Sequence, residues 1–292
     1  MTWLQLHINT SPEAAKKVDS ALQKNGALSV TLADNADQPI FEPALGETPL
    51  WQETRVTGLF NADVDSKSLQ ERILRECKQA FSSSHWSILE DKDWEREWMI
   101  HYHPIQCTEN FWICPSWTPV PDPKAVNLML DPGLAFGTGT HPTTFLCLQW
   151  IAEQNFSGKK AIDYGCGSGI LGIAALLLGA EQVTGVDIDP QALLATRDNV
   201  NRNQLQPDSF PVCFPDKLGE DKTNFVLANI LAGPLVELAP TLSSHLSPGG
   251  KICLSGILNT QRDAIIEAYS GAFNIDSVTE KESWICVAGT KC

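Results

Sequence analysis

Lys160 to Asp189 reads KAIDYGCGSGILGIAALLLGAEQVTGVDID, a pattern of strand, glycine turn, helix, strand and a closing acid. Ala161, Ile162 and Tyr164 predict a short buried strand around Asp163. The chain then turns through Gly165-Cys166-Gly167-Ser168-Gly169, where glycine at every second position permits positive φ and keeps Cβ atoms away from a ligand. Ile170, Leu171, Ile173, Ala174, Leu177 and Leu178 follow at helical spacing, and Gly179 stands where a glycine commonly ends a helix. Val183, Gly185 and Val186 predict a second buried strand that delivers Asp187 to its carboxyl end. The unit is one βαβ nucleotide-binding half, with its ligand crevice at the strand ends.

Two ligands compete for such a crevice. Gly167-x-Gly169-x-x-Gly172 satisfies the dinucleotide fingerprint, with Asp187 near the distance of a ribose-binding acid, so an NAD(P)-dependent oxidoreductase is one reading. Asp163, two residues before Gly165, favours the other: a carboxylate there suits a cationic ligand and opposes a pyrophosphate. With Gly165 it makes Asp-x-Gly-x-Gly-x-Gly, the pattern of sites for S-adenosylmethionine (SAM). Asp187 suits both, since a carboxylate can accept from two vicinal ribose hydroxyls.

Upstream, Val126 to Leu130 predicts a strand that leads into Asp131-Pro-Gly-Leu-Ala-Phe-Gly-Thr-Gly-Thr-His141-Pro-Thr-Thr144, with Pro142 opening a helix. No lysine precedes the threonines, so the loop is not a Walker-type phosphate cradle. It offers threonine hydroxyls and free N–H groups at a helix N-terminus, suited to a small carboxylate such as that of a methionyl moiety. His141 has no partner at metal-ligand spacing, and a loop-holding role is expected of it rather than a metal or general-base role. Downstream, Thr223 to Asn229 predicts a strand whose polar last residue adjoins the donor site.

The chain of 292 residues is long enough for two domains. Over residues 1–90 strand and helix patterns alternate as βαββαβ: Leu4 to Ile8, a helix from Ser11 to Gly26, Ala27 to Leu32, Thr54 to Phe60, a helix capped by Ser66, and Trp86 to Leu89. That order suggests a ferredoxin-like module. A linker helix is expected within 91–103, where Trp94 and Trp98 share a face, and residues 104–292 form the second domain. Trp86, Trp94, Trp98, Trp112 and Trp117 cluster around this junction, either as packing anchors or as a recognition surface. Phe210 to Phe214 and Lys251 to Leu254 predict further strands, and Pro248-Gly249-Gly250 a helix stop.

With 35 acidic against 21 basic residues the formal charge is −14, which argues against general binding of nucleic acid and suits a basic partner. The first residues lack the basic and apolar regions of an export signal, and no apolar run is long enough to span a membrane, so a cytoplasmic location is expected. Nine cysteines form no C-x-x-C pair, which argues against a zinc site or disulfide framework.

Taken together, EDKDWEREW, LDPGLAFGTGTHPTT, DYGCGSG, GVDIDP and ANILAGPL identify the chain by resemblance as a member of the PrmA family, methyltransferases that modify protein eleven of the large ribosomal subunit. The resemblance covers essentially the whole length. It implies an α/β protein: an N-terminal ferredoxin-like substrate-recognition domain, a linker helix, and a seven-stranded, Rossmann-like SAM-dependent domain. It also implies SAM contacts at Thr144, Gly165, Asp187 and Asn229, beside Asp163, Gly167 and Gly169 from the turn itself, with Asn229 nearest the chemistry. The implied reaction adds up to three methyl groups to lysine side chains and an N-terminal α-amine. A base-modifying methyltransferase is disfavoured because Asn229-Ile230-Leu231-Ala232 lacks an aromatic residue to stack an extruded base.

Overall fold

In a computed structural model the chain divides into two compact units, residues 1–99 and 100–292. The structure describes residues 2–36, 38, 49–78, 80–90, 102–131, 137 and 139–292. Most of the expected linker, with Trp94 and Trp98, lies outside the described residues.

The first unit runs β1 (Thr2–Thr10), α1 (Pro12–Lys24), β2 (Ser29–Asp34), β3 (Thr54–Asn61), α2 (Ser66–Cys77) and β4 (Ser83–Glu90). Its strands form an antiparallel sheet of order β2-β3-β1-β4. Alternation decides which face is covered: Leu6, Ile8, Val56 and Phe60 are buried with Val18, Leu22 and Ile73 of the helices, while His7, Thr57 and His85 alternate with them. On that second face His7 bonds Thr57 and Ser87 and stacks on His85 at 4.8 Å. Burial, then the charges of His85 and Arg55, lower the His7 pKa.

Two predicted details change here. The cap of α2 is Asp65, whose carboxylate accepts from Ser68 N–H at 3.2 Å, and Ser66 is the first helical residue. Strand β2 begins at Ser29, because Gly26 takes φ +89° and the chain turns before it extends.

The second unit opens with a small sheet of β5 (Ile105–Thr108), β6 (Phe111–Cys114) and β7 (Val126–Met129). After α3 (Pro142–Ala152) come β8 (Lys160–Tyr164), α4 (Ile170–Leu177), β9 (Gln182–Val186), α5 (Pro190–Arg202), β10 (Val212–Cys213), β11 (Thr223–Asn229), α6 (Ala232–Ser244), β12 (Leu246–Leu258), α7 (Arg262–Ser270), β13 (Phe273–Lys281) and β14 (Trp284–Lys291).

These strands build a seven-stranded sheet of order β10-β9-β8-β11-β12-β14-β13. It is parallel from β10 to β12, and β14 runs antiparallel to both its neighbours. Both faces are covered, so β11 reads as a continuous apolar run. Phe225 and Leu227 enter one core with α3 and α4, and Val226 and Ala228 the other with α6 and α7. Chain order reverses between β8 and β11, the switch point at whose strand carboxyl ends sheets of this kind form their ligand crevice.

Strand β10 is shorter than predicted because 3-10 turns at Pro207–Ser209 and Pro215–Lys217 bound it. Strand β12 is longer: Leu246 already pairs with Thr223, and the Pro248-Gly249-Gly250 segment is taken up as a register shift before Lys251 pairs with Phe225. Among the described residues no helix is long and apolar enough to cross a membrane.

Candidate functional site

The site grows from the end of β8. Gly165, Gly167 and Gly169 all take positive φ, at +74°, +54° and +78°. The turn folds back on β9 as the N–H groups of Gly165 and Cys166 donate to the Val186 carbonyl at 2.7 and 3.0 Å. A Cβ at Gly165 would lie 2.2 Å from Ile230 Cγ2, and one at Gly256 2.2 Å from the Ile230 carbonyl oxygen. Two glycines therefore hold Ile230, and with it the chain leaving Asn229, against the turn.

Asp163 is almost wholly buried, and its Oδ2 accepts from Gly172 N–H at 2.9 Å. That N–H is one of the orphan donors in the first turn of α4, whose cap residue Gly169 has no side chain to satisfy it. Asp163 thus ties strand to helix beneath the turn. Burial raises its pKa to about 7, against the Gly172 bond, which lowers it, and with a contribution from the charge of Asp187.

The sign of that shift gives a test. A carboxyl raised from 3.8 to about 7 binds its proton more tightly in the folded state. The stability it contributes is complete below pH 3.8 and is lost as pH rises through about 7. The thermal midpoint of the ligand-free protein should therefore fall between pH 5 and 8, and Asp163→Asn should flatten that fall. Equal slopes in the two proteins would remove Asp163 as the cause.

Asp187 stands half-buried at the end of β9. Its Oδ2 accepts from Gly167 N–H at 2.9 Å and its Oδ1 from Asp189 N–H at 3.0 Å. Each oxygen keeps a further lone pair. Across the crevice, Thr144 is buried in the first turn of α3, and its Oγ1 accepts from Asn229 Nδ2 at 3.2 Å. Asn229 Oδ1 is buried with no hydrogen-bond partner among the described residues. His141 caps α3 through Nδ1 and meets the Trp284 ring edge-on at 5.0 Å. Burial lowers its pKa, with Glu282 opposing.

Some residues that shape the turn were not anticipated. Thr196 Oγ1 donates to the Gly167 carbonyl at 3.0 Å, Asn199 Nδ2 to the Ser168 carbonyl at 2.8 Å, and Ser168 Oγ to the Gly137 carbonyl at 2.8 Å. Thr196 and Asn199 lie three apart on α5 and are both buried. Their helical spacing was visible in sequence, but nothing local marks the distant turn as their partner. Exposed Ile188, Phe214 and Leu231 follow the ends of β9, β10 and β11 and give these strand ends an apolar border.

A model of the ribosomal protein L11 methyltransferase (PrmA) family matches residues 2–292. The chain belongs to this family. A PrmA-family relative from Teredinibacter turnerae, named ribosomal protein L11 methyltransferase, is 65% identical over all of this chain and 97% of its own length. One of the same name from Saccharophagus degradans is 60% identical with both chains fully covered. The crystal structure of a ribosomal protein L11 methylase from Lactobacillus delbrueckii subsp. bulgaricus superposes with a TM-score of 0.59 at 32% identity, covering 65% of this chain and 99% of that one. The PrmA-family chain is a methyltransferase that uses SAM, and the oxidoreductase reading is set aside.

The crevice fits that donor. A glycine turn admits a ligand without Cβ atoms, the half-buried Asp187 carboxylate stands beside it, accepting from Gly167 N–H at 2.9 Å, and the Asn229 oxygen is unpaired among the described residues. Asp187→Ala should weaken SAM binding by about 1.5 to 3 kcal/mol, the scale of hydrogen bonds to a charged group, measured by calorimetry. Unchanged affinity would mean that the ribose is held elsewhere.

Proposed function

We propose that the protein methylates amino groups of ribosomal protein L11, both lysine side chains and the N-terminal α-amine, up to the trimethyl state. SAM is held by Thr144, Asp163, Gly165, Gly167, Gly169, Asp187 and Asn229. The first unit is a ferredoxin-like domain that recognises the substrate, a reading supported by its strand order β2-β3-β1-β4 with two helices on one face. The acidic chain, at −14, suits a basic ribosomal protein in the cytoplasm, and neither nucleic acid nor membrane is part of the recognition.

The observation that carries this reading is the unpartnered Oδ1 of Asn229 at the end of β11. A buried amide oxygen without a donor costs on the order of 1–3 kcal/mol, and a ligand amine satisfies it. The donor supplies a sulfonium-bound methyl, which a neutral amine attacks in line. Thr144 fixes the Asn229 amide from the nitrogen side, leaving the oxygen to aim an N–H and so turn the amine lone pair toward the methyl. Positioning of this kind is the main contribution available without a covalent intermediate.

The amine must arrive neutral. With a reference pKa of about 10.4, a lysine at pH 7 is disfavoured as the free amine by roughly 4.6 kcal/mol, against about 1 for an α-amine. Desolvation in a closed site lowers that cost for either group. Asn229 does not itself accept the proton, since an amide is a poor base.

Incubating purified L11 with the protein and SAM, followed by mass spectrometry, should give mass increments in whole methyl steps at lysines and at the N-terminus. Methylation of another ribosomal protein with L11 untouched would overturn the substrate assignment.

A further inference from the structure

Cys147, Cys253 and Cys286 come from three separate elements, α3, β12 and β14, and meet in the core on the side of the sheet that α3 covers. Their sulfur atoms all lie within 4.8 Å of one another, with Cys253 and Cys286 at 3.4 Å. Strand register explains the meeting. Cys253 pairs with Ala288 on the antiparallel neighbour, so Cys286, two residues away, occupies the diagonal position on the same face. Methyl transfer to an amine makes no use of these thiols.

We infer that this triad is a trigonal site for a soft monovalent cation of the copper(I) class. Metal–thiolate bonds of about 2.3 Å would place three trigonal sulfurs about 4 Å apart, within the spacing found. Thiolates select soft ions. A structural zinc ion would take four ligands, whereas the nearby Ser255 hydroxyl is committed to the Ile285 carbonyl at 2.9 Å.

Binding forms three Cu–S bonds and breaks two S–H bonds, releasing two protons to solvent. One ligand stays a neutral thiol, which limits the buried charge to a single negative unit. No electron is transferred, and ascorbate suffices to keep the ion reduced.

Cys147 lies three residues after Thr144 on α3, one turn from the residue that holds Asn229. A cation at the triad would fix α3 to the sheet just behind the donor crevice. Full burial of the three side chains means that α3 must lift for the ion to enter, so loading is slow.

The test is copper(I) titration of the full chain under ascorbate, with bicinchoninate as competing chelator. One ion per chain is expected. Replacing Cys147, Cys253 or Cys286 by Ala should each lower affinity at least about a hundredfold. Cys107→Ala, a buried thiol outside the triad, should leave it unchanged. Release of two protons predicts that affinity rises about a hundredfold per pH unit. Serine variants of the three positions repeat the comparison should an alanine variant fail to fold, as judged by circular dichroism. Retained binding in a folded Cys253 or Cys286 variant, an equal loss in Cys107→Ala, or no uptake both on long incubation and on refolding with copper(I) would overturn the site.

Discussion

Asn229→Ala is expected to slow single-turnover methylation at saturating SAM by about a hundredfold or more, the scale on which misplacing a reacting group costs rate. The expectation follows from how little else is free to aim the amine. The Asn229 nitrogen is engaged by Thr144 while its oxygen is buried and unpaired among the described residues. Alanine removes that acceptor and releases the Thr144 hydroxyl together. Part of the loss will be weaker donor binding, which is why the rate must be read at saturating SAM. Thr144→Val serves as the companion: it keeps Asn229 but removes its partner, and should lower the rate less. A single-turnover rate unchanged by Asn229→Ala would confine the residue to donor binding and leave the aiming role without a group to fill it.

The residues that were legible in sequence are those whose burial pattern and backbone demands are local. Thr223–Asn229 has the predicted bounds, because five of its seven residues are buried, with apolar side chains entering the cores on both faces. The glycine turn was readable for a similar reason, since positive φ at alternate positions has few other solutions. Where partners come from afar, sequence was silent. Asp163 was read for its charge toward a ligand, and its bond to Gly172 N–H in the first turn of α4 was not foreseen. Thr196 and Asn199 gave no signal, because the carbonyls they bond, of Gly167 and Ser168, lie about thirty residues away along the chain. The absence of a C-x-x-C pair argued against a zinc site or disulfide framework, and it carried no information on three cysteines, distant along the chain, that a helix and two strands bring together. Ile230 gave no signal at all: what holds it is the missing Cβ of two glycines on either side.

Removing the first unit should abolish methylation of intact L11 while leaving SAM affinity near its original value. Every residue with a donor-binding argument, from Thr144 to Asn229, lies in the unit spanning 100–292. That unit has a core on each face of its own seven-stranded sheet, so a Tyr102 to Cys292 fragment retains what it needs to fold. The first unit has a core of its own and contributes none of the donor-binding residues. If it captures the substrate, its removal converts an effectively intramolecular second contact into a bimolecular one, and the local amine concentration, in the millimolar range for a short flexible tether, is lost. The signature of that loss is specific. Activity on intact L11 at low concentration should fall by two orders of magnitude or more, whereas a small amine peptide, which the first unit has no surface to grip, should be methylated equally by fragment and full chain. Circular dichroism and SAM calorimetry establish first that the fragment is folded and loaded. A folded, SAM-binding fragment that methylates intact L11 as fast as the full chain would place recognition in the catalytic unit, and the division of labour would have to be abandoned.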